Sequence, residues 1–481
     1  MSAEWPRVQI SDACDLIVDC VNKTAPRVDH ATPYKMIRTP NIRNGRIDLT
    51  DCRFVERETF EKWTRRAKVE RDDVLLTREA PMGEVGLVDF DDTVFLGQRI
   101  MQYRVNRSIL LPRFLLYLFL SPDLQNQFRM HDGTGSVVSH IRVPDCSKFE
   151  LNLPPLAEQE RITAILGSLD DKIQLNHQIN QTLEQMAQAI FKSWFVDFEP
   201  VKAKIAALEA GGSEEDALLA AMRVIAGDAQ GSANAAGGTT PGAAKGDKLT
   251  RLQAEQPEQY AELRATAELF PSALQDSELG EIPEGWAYGT LSDIASLSSN
   301  RIPKHELTLE TYISTENMLE NKKGVCPASS LPSSASVPGF EPGEILISNI
   351  RPYFKKIWLA NISGGRSPDV LGFSPEHTGT NEYLFNLLYQ DGFFEHMMLT
   401  SKGAKMPRGD KKAIMQFTTV VPPIDLMRHF SGRVMPFYAL ATSQNRESDS
   451  LILIRDAILP KLLSGELALN ARTDRKGFIN V

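Results

Sequence analysis

Hydrophobic positions recur at alternating steps of four and three residues between Leu153 and Pro200. Ile162, Leu166, Leu169, Ile173, Leu183, Ile190 and Trp194 fall on one stripe, and Asn176 and Asn180 lie on the same seam. This is the a/d rhythm of a coiled coil, in which a buried Asn lowers stability while fixing register and partner number. Pro154 and Pro155 punctuate the start, Glu158 and Glu160 suit the positive end of a first helical turn, and Pro200 closes the pattern. The pattern predicts a helix about 57 Å long, from roughly 38 residues at 1.5 Å each.

One such helix cannot bury its own stripe, and a partner is present in the same chain. Val421-Pro422-Pro423-Ile424 repeats Leu153-Pro154-Pro155-Leu156 at a shift of 268 positions. The same shift carries the seven apolar seam residues onto Phe430, Val434, Phe437, Ala441, Leu451, Ile458 and Leu462, and the two seam asparagines onto Gln444 and Ser448. Pro436 falls inside the second pattern, where a proline is expected to kink a helix.

The stretches before each helix also repeat. Trp5 opens WPRVQISDACD and Trp286 opens WAYGTLSDIAS, a shift of 281; Val74-Leu75-Leu76-Thr77 matches Ile345-Leu346-Ile347-Ser348 at 271. The drift from 281 to 268 means that loops differ in length while elements persist. The fold class expected is α+β: two α/β domains, two long helices forming an antiparallel coiled coil, and an internal pseudo-two-fold repeat. The expected boundaries are a first globular domain over 1–153, a long helix over 154–199, a helical and low-complexity insert and linker over 200–284, a second globular domain over 285–421, a second long helix over 422–468 and a tail over 469–481. Within the insert, Gly227 to Gly246 reads as a flexible linker and the whole segment as a solvated excursion or a partner contact.

Composition adds limits. The 481 residues are 42% hydrophobic and 24% charged, with no apolar run of membrane-spanning length and no basic-then-apolar leader. The five cysteines include no CxxC pair. A cytoplasmic protein is expected. The formal charge of −9 is unevenly spread: residues 1–150 hold 22 Lys/Arg and 22 Asp/Glu, whereas residues 155–282 hold 10 against 20. A nucleic-acid site on this chain must therefore be a focused patch.

No GxxxxGK[ST], GxGxxG or HExxH motif occurs, and the Pro-Pro pairs open helices where an amino-methyltransferase would carry Asn-Pro-Pro-aromatic. Asp72-Asp73 and Glu84 imitate a nuclease cluster but read as solvated loop carboxylates. No catalytic residue, metal site or bound cofactor is expected. Basic and amide side chains do cluster at corresponding places in the two globular domains. The first domain carries Lys35, Arg38, Arg43, Arg46, Thr77, Arg78, Gln98 and Arg99, with His140 and Arg142 before the helix. The second carries Arg301, Lys304, Arg351, Lys355 and Lys356, then Lys402, Lys405, Arg408, Lys411 and Lys412 in one loop. Arg and Lys suit phosphate and guanine, Asn and Gln suit adenine, and Tyr353 and Phe354 among the cations are placed to stack or wedge.

Leu153-Pro-Pro-Leu-Ala-Glu-Gln-Glu-Arg-Ile162, Ile190-Phe-Lys-Ser-Trp-Phe-Val-Asp-Phe-Glu-Pro200, Asp276-Ser-Glu-Leu-Gly-Glu-Ile-Pro-Glu-Gly-Trp286 and Ile458-Leu-Pro-Lys-Leu-Leu-Ser-Gly-Glu-Leu467 together resemble the specificity (S) subunit of bacterial type I restriction–modification systems. The resemblance spans nearly the whole chain; the insert from Val201 to Leu269 is long for the family. It implies two target-recognition domains, each reading half of an asymmetric, bipartite double-stranded DNA target. It also implies a coiled coil that spaces them, and a non-catalytic subunit on which two modification (methyltransferase) subunits and restriction/translocase subunits assemble. S-adenosylmethionine, ATP and Mg2+ would belong to those partners. A methylation-only complex, a coiled-coil adaptor without DNA, and a metal-dependent nuclease are the competing readings.

Overall fold

The computed structural model describes residues 5–131, 140–227, 248–278, 280–403 and 405–467. The stretch 228–246 of the expected linker and the tail from 469 lie outside them. The chain divides into two compact units. One joins the first 177 residues to the chain from Asn445 onward, and the other runs from Gln178 to Gln444.

The long helices are Leu156–Phe195 and Ile424–Leu463, each of 40 residues. Their first and last residues are related by the shift of 268 read from the seam. Each starts just after its Pro-Pro pair: the Glu158 and Gln159 amides donate to Pro155 O, and the Leu426 and Met427 amides to Pro423 O. Pro436 removes one helical donor, but the second helix continues through it unbroken.

Within each unit the two helices pair antiparallel, since rising numbers on one meet falling numbers on the other. In the first unit Asp170 Oδ1 accepts from Arg455 Nη1 at 3.0 Å, and Asn176 Nδ2 donates to Glu447 Oε2 at 2.9 Å and Ser448 Oγ at 3.2 Å. In the second, Asn180 Nδ2 donates to Ala441 O at 3.3 Å, and the rings of Phe191 and Trp194 lie 5.6 and 5.9 Å from Phe430. Ile162, Leu166, Ile173, Trp194, Phe430, Val434 and Leu462 are buried on the seam, whereas Leu169, Leu183, Ile190, Phe437, Leu451 and Ile458 are half-buried. Ala187, absent from the apolar pattern, is fully buried and completes the heptads. Its repeat equivalent is Arg455, which the ion pair to Asp170 allows on the seam.

Each unit carries the same antiparallel four-stranded sheet. In the first the order is Cys14–Asp19, Ile100–Val105, Val74–Thr77, Val85–Leu87; in the second it is Ala295–Leu297, Val370–Pro375, Ile345–Ser348, Ile357–Leu359. The central register is also the same, Tyr103 opposite Val74 in one and Phe373 opposite Ile345 in the other. Val74–Thr77 and Ile345–Ser348 are runs of Val, Ile and Leu because helices cover one face and a second, smaller sheet the other. The helix pair Pro112–Leu120 and Pro122–Arg129 is matched by Asn381–Tyr389 and Asp391–Leu399. A two-stranded ribbon brings each domain's entry and exit together beside the helix start: Arg7–Gln9 with Glu150–Asn152, and Ala287–Thr290 with Thr418–Val421. The small sheets differ. Lys35–Ile37 is flanked by Arg53–Phe54 and Val94–Leu96, whereas in the second unit Gly364–Arg366 is flanked by Tyr312–Ile313 and Ser336–Phe340.

Each domain is tied to its helices at matching positions. Tyr117 donates to Asp170 Oδ2 at 2.7 Å, and burial, then the carboxylate, pushes the phenol well above its ordinary range. At the equivalent place Asn386 Nδ2 donates to Tyr438 Oη at 2.9 Å. The acceptor has moved from a carboxylate to a phenol, yet the bond still joins the same two elements.

The insert is not a solvated excursion. Its helices Glu199–Glu209, Glu214–Ile225, Lys248–Glu255 and Pro257–Glu268 bury Val201, Leu218, Met222, Ile225, Leu263 and Ala267 in the core that also holds Trp194, Phe270, Trp286 and Phe430. Lys204 donates to Phe270 O, and Arg433 Nη2 to Ile225 O at 3.0 Å. The aromatic group at the end of the first long helix needed a cover, and the insert supplies it.

Trp194→Ala should therefore destabilise the second unit by about 3–5 kcal/mol, the usual cost of truncating a buried aromatic. Leu453→Ala, at a side chain 72% exposed, should stay within about 0.5 kcal/mol. Urea unfolding of the full chain checks both; equal effects would contradict this account of the seam.

Candidate nucleic-acid interface

At one end of each four-stranded sheet the backbone joins three loops. In the first unit the Arg78 amide donates to Arg99 O at 2.8 Å, and the Ile141 amide donates to Arg78 O at 3.0 Å. In the second the Asn349 amide donates to Asp369 O at 2.8 Å, and the Gly409 amide to Asn349 O at 3.2 Å. Strand pairing explains why: Val74–Thr77 and Ile100–Val105 are neighbours, so the loop leaving one and the loop entering the other must meet. The chain that descends to the long helix then crosses them.

The side chains on this shared frame differ in charge. Arg99 of the first unit corresponds to Asp369 of the second, and Arg142 to Asp410. Arg99 is held by Glu79 and left half exposed; Arg408 is held by Asp369 and is also about half exposed. Lys402 reaches Asp410 Oδ2 at 2.6 Å, and the strand-like bonds between Lys402 and Arg408 close the loop. The Lys402 hydrogen bond holds the Asp410 carboxyl below its ordinary value, with help from the Ala413 and Lys412 amides. Asp410 thereby caps the short helix Lys411–Met415 while Lys405, Lys411 and Lys412 stand exposed.

The predicted site residues thus separate into groups. Arg351, Lys402, Lys405, Arg408, Lys411 and Lys412 lie on one continuous surface, because the Arg351 amide donates to Pro407 O at 2.8 Å. Lys355 and Lys356 flank it through the turn at Pro352–Phe354; Lys355 pairs with Asp391 at 2.9 Å and Lys356 donates to Thr315 O at 2.8 Å. Tyr353 on that turn is 48% exposed. Arg301 is bonded to Ser336, and Lys304 is half-buried in the small sheet's edge. In the first unit Arg78, Gln98, Arg99, His140 and Arg142 share the corresponding surface, with Arg142 exposed.

Other predicted residues have structural employment. Thr77 is buried, its hydroxyl donating to Pro81 O at 2.7 Å and accepting from the Glu84 amide at 2.9 Å. Arg46 donates to Asp170 O at 2.7 Å and so grips the long helix. Arg43 donates to Thr39 O and Ile42 O, Arg38 pairs with Asp51 at 2.8 Å, and Lys35 pairs with Asp92. Arginines that satisfy backbone carbonyls hold loop shape, and part of their five N–H donors is spent on the protein itself.

Residues 3–185 match the family model described as "Type I restriction modification DNA specificity domain". The specificity subunit of the type I restriction enzyme HindI from Haemophilus influenzae is 28% identical over 416 residues, 83% of this chain and 87% of that one. Over most of its length this chain is therefore similar to type I specificity subunits. The MjaIX specificity subunit of Methanocaldococcus jannaschii is 22% identical over 415 residues, covering 82% of this chain and 77% of its own. Two solved structures are also similar. The HsdS subunit from Thermoanaerobacter tengcongensis has a TM-score of 0.32 at 15% identity, covering 97% of this chain and 98% of its own. The type I S subunit from M. genitalium has a TM-score of 0.47 at 15% identity, covering 95% and 96%.

The frame residues escaped sequence reasoning. Asn349, Asp369 and Glu79 carry no motif and lie far along the chain from Gly409, Arg408 and Arg99, the residues they hold. The repeat offers a signal for Asn349 and Asp369, since aligning the two domains at the drifting shift sets Arg78 over Asn349 and Arg99 over Asp369. Among the described residues no helix is long and apolar enough to cross a membrane.

Proposed function

We propose that this subunit reads an asymmetric, bipartite DNA target, each unit recognising one half through the three loops at its sheet end. The observation that supports this reading is a common backbone frame carrying unlike side chains: Arg99 and Arg142 in one unit, Asp369 and Asp410 in the other. Identical frames suit duplex DNA presented twice in the same manner, and unlike side chains suit different base edges. The subunit itself is non-catalytic in this proposal. Methyl transfer from S-adenosylmethionine belongs to modification subunits, and ATP- and Mg2+-dependent translocation and cleavage to restriction subunits.

Arg408→Ala and Lys405→Ala should weaken discrimination in one half-site only. A lost base contact costs about 1–3 kcal/mol at one position; a lost phosphate contact weakens every sequence and lowers the salt slope by about one. Binding selections from a randomised duplex library, at two salt concentrations, separate the cases. Equal loss in both halves would refute separate readers.

The spacer between half-sites is proposed to follow the helix length. Four residues inserted after His177 together with four after Gln444 add about one turn, roughly 6 Å of rise. With about 3.4 Å per base pair, the selected spacer should lengthen by one to two pairs while both half-sites stay the same. An unchanged spacer would sink the ruler.

Each unit also exposes an apolar side chain at one shared repeat position on a long helix, Met186 at 46% and Ile454 at 50%, the latter beside Leu453. Two matching surfaces suit two modification subunits. Native mass spectrometry of the saturated complex should show two, and Met186→Asp with Ile454→Asp should reduce that number; a single modification subunit at saturation would contradict the scheme.

A further inference from the structure

Beyond backbone bonds, one side chain in each unit makes a matching contact. Arg78 Nη1 donates to Ile141 O at 3.1 Å, and Asn349 Nδ2 donates to Gly409 O at 3.1 Å. Arg78 and Asn349 occupy the same repeat position, directly after the central strand, and Ile141 and Gly409 correspond in the descending loop. Each residue thus forms three bonds of the same kind. Its amide is tied to the 99 or 369 loop, its carbonyl takes the 141 or 409 amide, and its side chain returns a donor to that residue's carbonyl. A guanidinium and a carboxamide share little beyond an N–H donor, so the donor is the property both units use.

Asn349 is 1% exposed, which keeps it from base edges. Gly409 fits closely against it: a Cβ there would sit 2.5 Å from Asn349 Oδ1, nearer than real side chains approach. Arg78 is half-buried, with its Nε enclosed by protein. We propose that Arg78 and Asn349 are positioning residues, clamps that hold three reader loops in register, and that they set the breadth of specificity in their own half-site without touching a base. The inference rests on the DNA-reading proposal above. It assigns Arg78, one of the cations expected at the interface, to the frame.

A clamp and a base reader leave different traces. Losing a reader changes preference at one base position. Losing a clamp lets whole loops shift, relaxing several adjacent positions together. The experiment is selection of a randomised duplex library by the full chain assembled with the subunits that co-purify with it. Asn349→Ala should reduce discrimination roughly tenfold or more over at least two adjacent positions of one half-site, the scale of one well-formed base contact at each. The other half-site should stay within about twofold of its original discrimination on the same scale. That half also reports that the variant is folded. Gly409→Ala, which pushes on the clamp from the other side, should relax the same positions. Arg78→Ala should act on the opposite half, and Arg78→Lys, which keeps a donor for Ile141 O, should restore most of the lost discrimination. Without DNA, hydrogen exchange at the Gly409 amide should quicken in Asn349→Ala.

A change confined to one position, a loss shared by both halves, or an unaltered profile with unaltered Gly409 exchange would each overturn the clamp. Selection of no bipartite motif by the unsubstituted complex would instead overturn the DNA-reading proposal. The Gly409 exchange rate would then still decide whether the bond holds the loop.

Discussion

Neither 40-residue helix can bury its apolar stripe alone, and each finds its cover 268 positions away in the same chain. The rest of the structure depends on this antiparallel pairing. The seam is apolar where a globular domain rests on the helices and polar around Asn176, Asn180, Gln444 and Ser448, where none of the cores extends. Sliding by a heptad would exchange Glu447 and Ser448, which accept from Asn176, for Leu440 and Ala441 or Ile454 and Arg455, whose side chains offer no acceptor. The polar stretch therefore costs stability but admits one register. Asp170 reinforces that register in the first unit, since Arg455 from the other long helix and Tyr117 from the domain both bond its carboxylate.

The two globular domains show what duplication retains and what it releases. Sheet order, central register, the entry–exit ribbon and the helix pair are common to both. The small sheet and the loops at the sheet end are not. Apart from one side-chain donor in each unit, a frame of backbone hydrogen bonds tolerates unlike side chains at its loops, because the chain supplies its own donors and acceptors. Recognition chemistry could then diverge on one half of the molecule while the scaffold stayed the same. Even the domain-to-helix tie shows this, a tyrosine–carboxylate bond in one unit and an asparagine–tyrosine bond in the other.

The insert breaks the equivalence. It covers an aromatic cluster of Trp194, Phe195, Phe270 and Phe430 at the end of the first long helix. The corresponding end of the second helix closes with Leu459, Leu462 and Leu463 against the first domain. Aliphatic side chains there are covered by the domain alone; the larger rings recruit additional helices. The acidity of this segment then follows from its outer faces, which meet solvent on helices whose inner faces are filled.

The sequence by itself determined the elements whose signal is periodic or repeated: both long helices, their starts within two residues and their ends four and five residues short of the expected ones, their shared shift, the antiparallel pairing and the internal repeat. Periodicity is local, so burial on one face is legible without knowing the neighbour. It misjudged Ala187, whose small side chain carries little hydrophobic signal yet fits the seam. It also misjudged the insert, because alanine-rich helices give a shallow pattern and what they cover lies elsewhere in the chain. Only the tertiary structure decided which cations grip the protein. Arg46 reaches Asp170 O across 124 positions, and Arg408 is held by Asp369 across 39. A charge reads the same in sequence whether it meets a carbonyl, a carboxylate or solvent. That difference is set by long-range contacts, and with it the choice between a side chain that holds a loop and one left to face a partner.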